Sequence, residues 1–512
     1  MEDRQAGDPS VVVQGGMVVA EEPEASALDF VVVADLPEEL PLDRIVTCER
    51  EMAGVGKIRF WGMVEAAGYG ELYYGLVRVI RIYPEVFVPP IPGIAVSTAN
   101  AENVAWALRF TTMKQKFVIG QLTDEQPAYA NFDFVSGTKG AHVNIAGISG
   151  VATKTSYALF LLYSLFAAQP QLRSIIFNVK GDDLLYLDKP NCKMPTKDRE
   201  MYTKLGLPCG PFAEVAYFGL KTGLWTLWQF AERELIRYLF EDTEESGVMQ
   251  GAIDRLAERL REAAGECEGP GVILEGEAVE DLAALVKFLD KLPEKNAWFE
   301  GSTLGTRKAL MRRLKAGARQ VSALITADGR FDYEAQLSVV DIHALSDRAR
   351  AFVVGAVMRS VYEGREKLGD AHPTTLVILD ELNKYAPKRG GGPIKEMLLD
   401  VAERGRSLGI VLIGAEQTAS QVEERVVGNA ALRVVGRLET AESEQPSYGW
   451  LSGTLRRRST LLLPGTMVVA QPEVPVPLVV RFPFPAWATR QSEVLAKGMS
   501  GAPPFEGDAP PE

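Results

Sequence analysis

From His142 onward, short, mostly apolar runs alternate with long helical patterns, and no other feature of this 512-residue chain restricts its fold as much. The runs are His142–Ala146, Ser174–Val179, Leu337–Ile342, Thr375–Leu379, Ile410–Ala415 and Leu432–Leu438. Strands apolar on both faces belong in a sheet covered on both sides. Helical segments such as Ala344–Lys367 and Ile394–Ser407 lie between several of them. The alternation predicts an α/β fold with a largely parallel sheet.

The region from about Val11 to Val96 has a different texture. Phe30–Val33, Ile58–Met63, Tyr73–Ile82 and Glu85–Val88 are short β-branched and aromatic runs punctuated by Gly, Pro and acidic residues. Short strands at close spacing predict a small β-barrel or sandwich, here placed in residues 1–100. Pro89-Pro90-Ile91-Pro92-Gly93 cannot continue a strand and marks its edge. The larger domain spans residues 101–490. Within it, about 225–320 reads as a helical insertion, with Ile253, Leu256 and Leu260 on one apolar face and Arg255, Glu258 and Arg259 outside. Residues 491–512, rich in Pro, Gly and acid, read as a disordered tail.

Composition narrows the function classes. The formal net charge of −13 excludes a uniformly basic nucleic-acid coat, although a local basic pore inside an acidic shell stays open. Cys48, Cys192, Cys209 and Cys267 form no Cys-x-x-Cys pair, and His142, His343 and His372 lack metal-ligand spacing, so a zinc or disulfide framework is not expected. The start, Met1-Glu2-Asp3-Arg4, lacks signal-peptide design, and the apolar stretch Ala158–Ala168 is too short to cross a bilayer. The expectation is a soluble, cytoplasmic protein away from the membrane.

The most informative segment runs His142-Val-Asn-Ile-Ala-Gly147-Ile-Ser149-Gly150-Val-Ala-Thr153-Lys154-Thr155-Ser156 and then into an apolar helix. Binding a polyphosphate needs inward backbone N–H groups, a cation on the terminal phosphates and a hydroxyl on magnesium. The loop Gly147, Ser149, Gly150, Thr153 and Ser156 would supply the first, Lys154 the second and Thr155 the third. The strict pattern G-x-x-x-x-G-K-[ST] is not met, because Gly147 is one residue early and Thr153 replaces a glycine. Thr375–Leu379 is a second apolar strand, and it ends in Asp380-Glu381. In phosphate-loop enzymes such an Asp holds the magnesium shell and an adjacent acid polarises the attacking water. Gln417, after Ile410–Ala415 and Glu416, sits at a strand's carboxyl end, either to sense the γ-phosphate or to position water, or as a cap before the next helix. Together the three segments predict an ATPase using ATP and Mg2+.

With these segments in place, the chain resembles the HerA-type ATPases of the larger HerA/FtsK group. The likeness rests on Gly140-Ala-His-Val-Asn-Ile-Ala-Gly-Ile-Ser-Gly150, on Asp380-Glu381, and on Glu403-Arg404-Gly-Arg406-Ser-Leu-Gly leading to Glu416-Gln417. It implies a RecA-like core preceded by a small HAS-barrel-like domain, and a ring, a hexamer, with ATP at subunit interfaces. It further implies double-stranded DNA translocation or helicase action with a NurA-type nuclease or a defence effector as partner. The alternative is an ATP-gated scaffold that assembles such a partner without moving DNA. Arg406 matches the arginine that completes a neighbour's site, with Arg404 second; each reads otherwise as a solvated helix-end residue. Asp182 matches an acidic position near the nucleotide and reads equally as a turn residue. For DNA contact, Lys388, Arg389 and Lys395 flank the flexible Gly390-Gly391-Gly392, and Arg456-Arg457-Arg458 is a weaker candidate.

Overall fold

A computed structural model describes residues 17–19, 26–35, 40–69, 72–150, 153–181, 183–219, 223–240, 247–265 and 268–494. Asp182 and positions 495–512 of the expected tail lie outside the described residues.

The chain begins with strands β1 (Met17–Val19), β2 (Asp29–Ala34), β3 (Ile45–Met52), β4 (Gly56–Tyr69), β5 (Tyr73–Tyr83) and β6 (Ser97–Thr98). They form an antiparallel six-stranded sheet in the order β1-β2-β5-β4-β3-β6. Register shifts at Trp61/Gly62 and Val64/Ala66 bend the long β4. The bend brings the two edges together: Val18 N donates to Ile94 O at 3.1 Å and Gly93 N to Val18 O at 2.8 Å. The sheet thus closes into a small barrel around Val18, Phe30, Val32, Val46, Phe60, Val64 and Val77. Glu85–Val88 is not a strand, contrary to its residue types. Prolines bracket it, and Val86 N and Val88 N bond only two residues back, to Pro84 O and Val86 O.

The rest of the chain contains α1 (Ala101–Ala107), β7 (Lys116–Gln121), β8 (Pro127–Asn131), β9 (Ala141–Ala146), α2 (Lys154–Ala168), β10 (Arg173–Asn178), α3 (Thr196–Leu205) and β11 (Val215–Phe218). There follow α4 (Leu227–Glu232), α5 (Gly247–Ala264), a hairpin of β12 (Val272–Leu274) and β13 (Glu277–Val279), α6 (Leu282–Lys291) and α7 (Leu304–Val321). Then come β14 (Leu337–Asp341), α8 (Asp347–Leu368), β15 (Thr375–Asp380), α9 (Leu382–Tyr385), α10 (Pro393–Arg404), β16 (Ile410–Glu416), β17 (Ala430–Val435), β18 (Thr466–Ala470) and β19 (Leu478–Arg481).

An eleven-stranded sheet runs β11-β14-β10-β15-β16-β9-β17-β18-β19-β7-β8. From β11 to β17 every pairing is parallel; β18, β19, β7 and β8 extend it antiparallel. Strands β9, β15 and β16 are buried at every residue. Their two faces are covered by separate cores, one under α2 and one under α8, α10 and the helices α4–α7. β16 lies between β9 and β15, with Glu416 opposite Ala146 and Ala415 opposite Asp380. That register lines up the carboxyl ends of the three strands.

The barrel docks through Trp61, Met63 and Ile80, which share a core with Val104 and Ala107. Trp61 packs against Trp106 with ring centroids 4.4 Å apart, and the Arg81 guanidinium lies 3.3 Å from the Trp106 centroid. Arg458 holds Asp43 through two bonds of 2.8 and 2.7 Å. Of Arg456-Arg457-Arg458, Arg458 thus ties barrel to core, Arg456 faces Glu444 at 3.4 Å and Arg457 is exposed. Gln491–Glu493 form a helical turn and Val494 bridges to Asn191.

Candidate functional site

At the end of β9 the chain turns sharply. Gly147 N donates to Glu416 O at 3.1 Å, which fastens the start of the loop to β16. Thr153 closes the loop in the left-handed region at φ 47, a conformation that favours glycine. Its hydroxyl accepts a bond from Gly465 N at 3.3 Å. The 15-residue helix α2 then starts at Lys154 with no side-chain cap. Its first-turn N–H groups have no partner within the helix, which makes this end an anion site.

Lys154 is buried and its Nζ donates to Gly147 O at 2.6 Å. Burial lowers its pKa, while the nearby Asp380 carboxylate works to keep the charge. Thr155 Oγ1 donates to Asp380 Oδ2 at 3.0 Å across 225 positions of sequence. Lys180 Nζ reaches the same oxygen at 2.8 Å. Burial works to lower the Lys180 pKa, but the charge and hydrogen bond of Asp380 outweigh it and the net shift is upward. These groups open onto a cleft of about 370 Å³, with Ser149, Gly150, Thr153, Ser156, Asp183 and Arg490 on its walls and Leu159, Phe177 and Leu184 as its apolar part. Arg490 pairs with Asp183 at 2.5 Å.

Lys180 and Arg490 are cleft residues that the sequence reading missed. Lys180 carries a signal, since it directly follows a buried parallel strand whose neighbour ends in Asp380. Arg490 carries none, because the chain returns to the cleft from far outside the motif.

Beneath the loop, Glu416 is fully buried and accepts a 2.6 Å bond from Asn144 Nδ2. Its other oxygen, Oε2, has no partner among the described residues. Burial pushes its pKa up to about 8, with Asn144 and Lys154 opposing.

The remaining predicted residues lie outside the walls of this cleft. Glu381 follows Asp380 in the left-handed region at φ 59; its N–H donates to Asp380 Oδ1 at 2.9 Å and its carboxylate pairs with Lys384 at 2.7 Å. Gln417 is exposed just beyond β16. Arg406 donates to Gly137 O and Thr138 O at 2.5 and 2.6 Å, and Arg404 pairs with Asp400 at 3.0 Å. Lys388 pairs with Glu424 at 2.7 Å, whereas Arg389 is exposed. Lys395 is buried, paired with Glu423 at 2.8 Å and bonded to Gly390 O at 3.0 Å.

No family model and no curated protein matches the sequence. Solved structures do match in fold. VirB4 of Thermoanaerobacter pseudethanolicus superposes with a TM-score of 0.50 at 15% identity, over 72% of this chain and 96% of that one. The bacterial conjugative coupling protein TrwB, in an unbound form, gives 0.51 at 14% identity, over 78% of this chain and 94% of that one. The chain has the fold of VirB4 and TrwB. Nearly the whole of each neighbour is covered, so the shared fold extends well beyond the loop between β9 and α2. Among the described residues, no helix is long and apolar enough to cross a membrane.

Proposed function

We propose that this chain is a Mg2+-dependent ATP hydrolase of the HerA/FtsK group that works as a ring, a hexamer, on double-stranded DNA together with a nuclease or effector partner. The observation that carries the hydrolase reading is the meeting of Thr155 and Lys180 on one oxygen of Asp380, beside the uncapped start of α2. The fold shared with VirB4 and TrwB supports the grouping.

The residues fit the substrate. The first-turn N–H groups of α2 and the loop would cradle the phosphates. Lys154 would leave Gly147 O and turn its charge onto the terminal phosphate, and Lys180 adds a second cation at the same edge. Thr155 and Asp380 would hold Mg2+, which when bound neutralises charge on the β- and γ-phosphate oxygens. Glu381 is assigned the water-activating role, for which its carboxylate must exchange Lys384 for the water. Gln417 would report the γ-phosphate, and Arg406, with Arg404 beside it, would complete a neighbour's site by stabilising charge on the transferred phosphoryl. Glu381→Gln is expected to keep ATP binding and lose steady turnover; turnover equal to the parent protein overturns the base assignment.

A second reading, an ATP-gated scaffold that organises its partner without moving DNA, is favoured by one observation. Lys388 and Lys395, two of the three cations assigned to DNA, are already matched by Glu424 and Glu423. Hydrolysis that rises with duplex DNA supports the motor, and hydrolysis indifferent to DNA supports the scaffold.

A further inference from the structure

The strands that deliver Asp380 and Lys180 to the nucleotide cleft have their amino ends at the opposite edge of the sheet. There Arg173 opens β10 and Thr375 opens β15, side by side in register. A separate pocket of about 350 Å³ is built around them, nearly the volume of the nucleotide cleft. Its walls also include Arg233, Tyr333, Arg365 and Lys367, so the end of α4, the loop before β14 and the last turns of α8 all contribute.

The charges of this pocket are incompletely matched. Arg365 is only 2% exposed, yet its side chain donates to two backbone carbonyls, Leu408 O at 2.9 Å and Asp370 O at 2.8 Å. Arg233 donates to Ser360 Oγ at 2.7 Å, and its ion pair with Glu232 is long, at 3.6 Å. Glu232 also serves Lys367, at 3.0 Å. Arg173 has no ion pair among the described residues. Burial raises the Tyr333 pKa while Arg365, Arg233 and Arg173 all oppose it, and all four residues line the pocket. Burial lowers the Arg365 pKa and the charge of Arg173 lowers it further. Against these stand Asp332, Glu334 and Glu363; Asp332 faces Arg330 at 4.0 Å and Glu363 is held by Arg359 at 2.6 Å.

One aromatic feature stands beside these charges. Tyr333 is half-buried on the pocket wall, its ring centroid 6.4 Å from that of the buried Phe331 behind it. Guanidinium groups bind phosphate through paired N–H donors, and aromatic faces accept a planar ring.

We propose that this pocket is a second binding site, for a small phosphorylated compound carrying a planar ring, of mononucleotide size. Arg173 and Arg233 take the phosphate, and the Tyr333 side of the pocket takes the ring. The site is independent of the phosphate loop, and β10 and β15 connect the two.

The test uses the full chain with adenosine monophosphate as probe, measuring bound equivalents by equilibrium dialysis on the parent protein, Lys154→Ala and Arg173→Gln. The Arg173 side chain is half-buried and makes no hydrogen bond or ion pair among the described residues, so its replacement leaves the fold intact; Tyr333→Ala serves as a second variant that removes the ring. The expected result is a binding component that survives Lys154→Ala, is displaced by inorganic phosphate and, only at higher concentration, by adenosine, and weakens tenfold or more in Arg173→Gln. Loss of all binding in Lys154→Ala, or binding unmoved by both Arg173→Gln and Tyr333→Ala, overturns the proposal. Because the component is read with the phosphate loop disabled, its failure is distinct from failure of the ATPase reading.

Discussion

Thr153 occupies a left-handed conformation at φ 47 where the strict phosphate-loop pattern has glycine. A side chain there costs about 1–2 kcal/mol, and glycine would return roughly 0.5–1 kcal/mol of that through its freer unfolded chain. Replacement also removes the bond from Gly465 N, worth about 1 kcal/mol. Thr153→Gly should therefore be near neutral in chemical denaturation and keep ATP binding. A loss above about 2 kcal/mol would show that the hydroxyl, not the backbone, sets the loop. Glu416 makes a pH prediction. Its folded-state pKa of about 8 lies above the ordinary carboxyl value, so its contribution is present at low pH and is lost as pH rises toward 8. His142 has the opposite sign: burial holds its pKa down at about 4, so its contribution fades only as pH falls below about 6.5. Between about pH 6.5 and 8 Glu416 acts without that opposition. Stability should fall across that window in the parent protein, and Glu416→Gln, which can still accept from Asn144, should flatten the fall. An unchanged slope in the variant contradicts the assignment.

At the scale of elements, the parallel strands are legible because burial on both faces leaves short apolar runs that end abruptly in polar residues. Asp380 and Lys154 are legible for the same reason, each standing directly after such a run or its loop. β11, β18 and β19 are short and read as ordinary loop sequence, and Glu85–Val88 misleads because residue type does not reveal that prolines deny it a partner strand. The state of Lys395 is also hidden in sequence: Pro393 and Ile394 start α10, and the helix carries Lys395 inward onto Glu423, which follows β16. Breaking that pair from one side leaves a largely buried charge, so Glu423→Gln should cost about 2–3 kcal/mol, read from the denaturation midpoint. Arg389→Ala should instead leave stability unchanged and weaken the response of hydrolysis to DNA. If Arg389→Ala leaves the DNA response intact, the loop 387–395 is not the DNA contact.

At the scale of the molecule, the barrel is held to the core by Trp61, Met63 and Ile80 and by the Arg458–Asp43 pair. Arg458→Ala should cost about 1–2 kcal/mol and speed proteolysis between barrel and core without altering the phosphate site. Equal proteolysis in variant and parent would assign the docking to the apolar contact alone. Charge, with a net of −13 overall, places the cations of functional interest in local sites: one at the carboxyl edge of the sheet and one at its amino edge. If the carboxyl-edge cleft hydrolyses ATP, steady-state hydrolysis with Mg2+, measured with and without duplex DNA in the parent protein and in Lys154→Ala, will show it. Turnover should rise with DNA and fall at least a hundredfold in the variant, corresponding to about 2.7 kcal/mol or more of lost transition-state stabilisation. Turnover that persists in Lys154→Ala would place the chemistry elsewhere in the molecule.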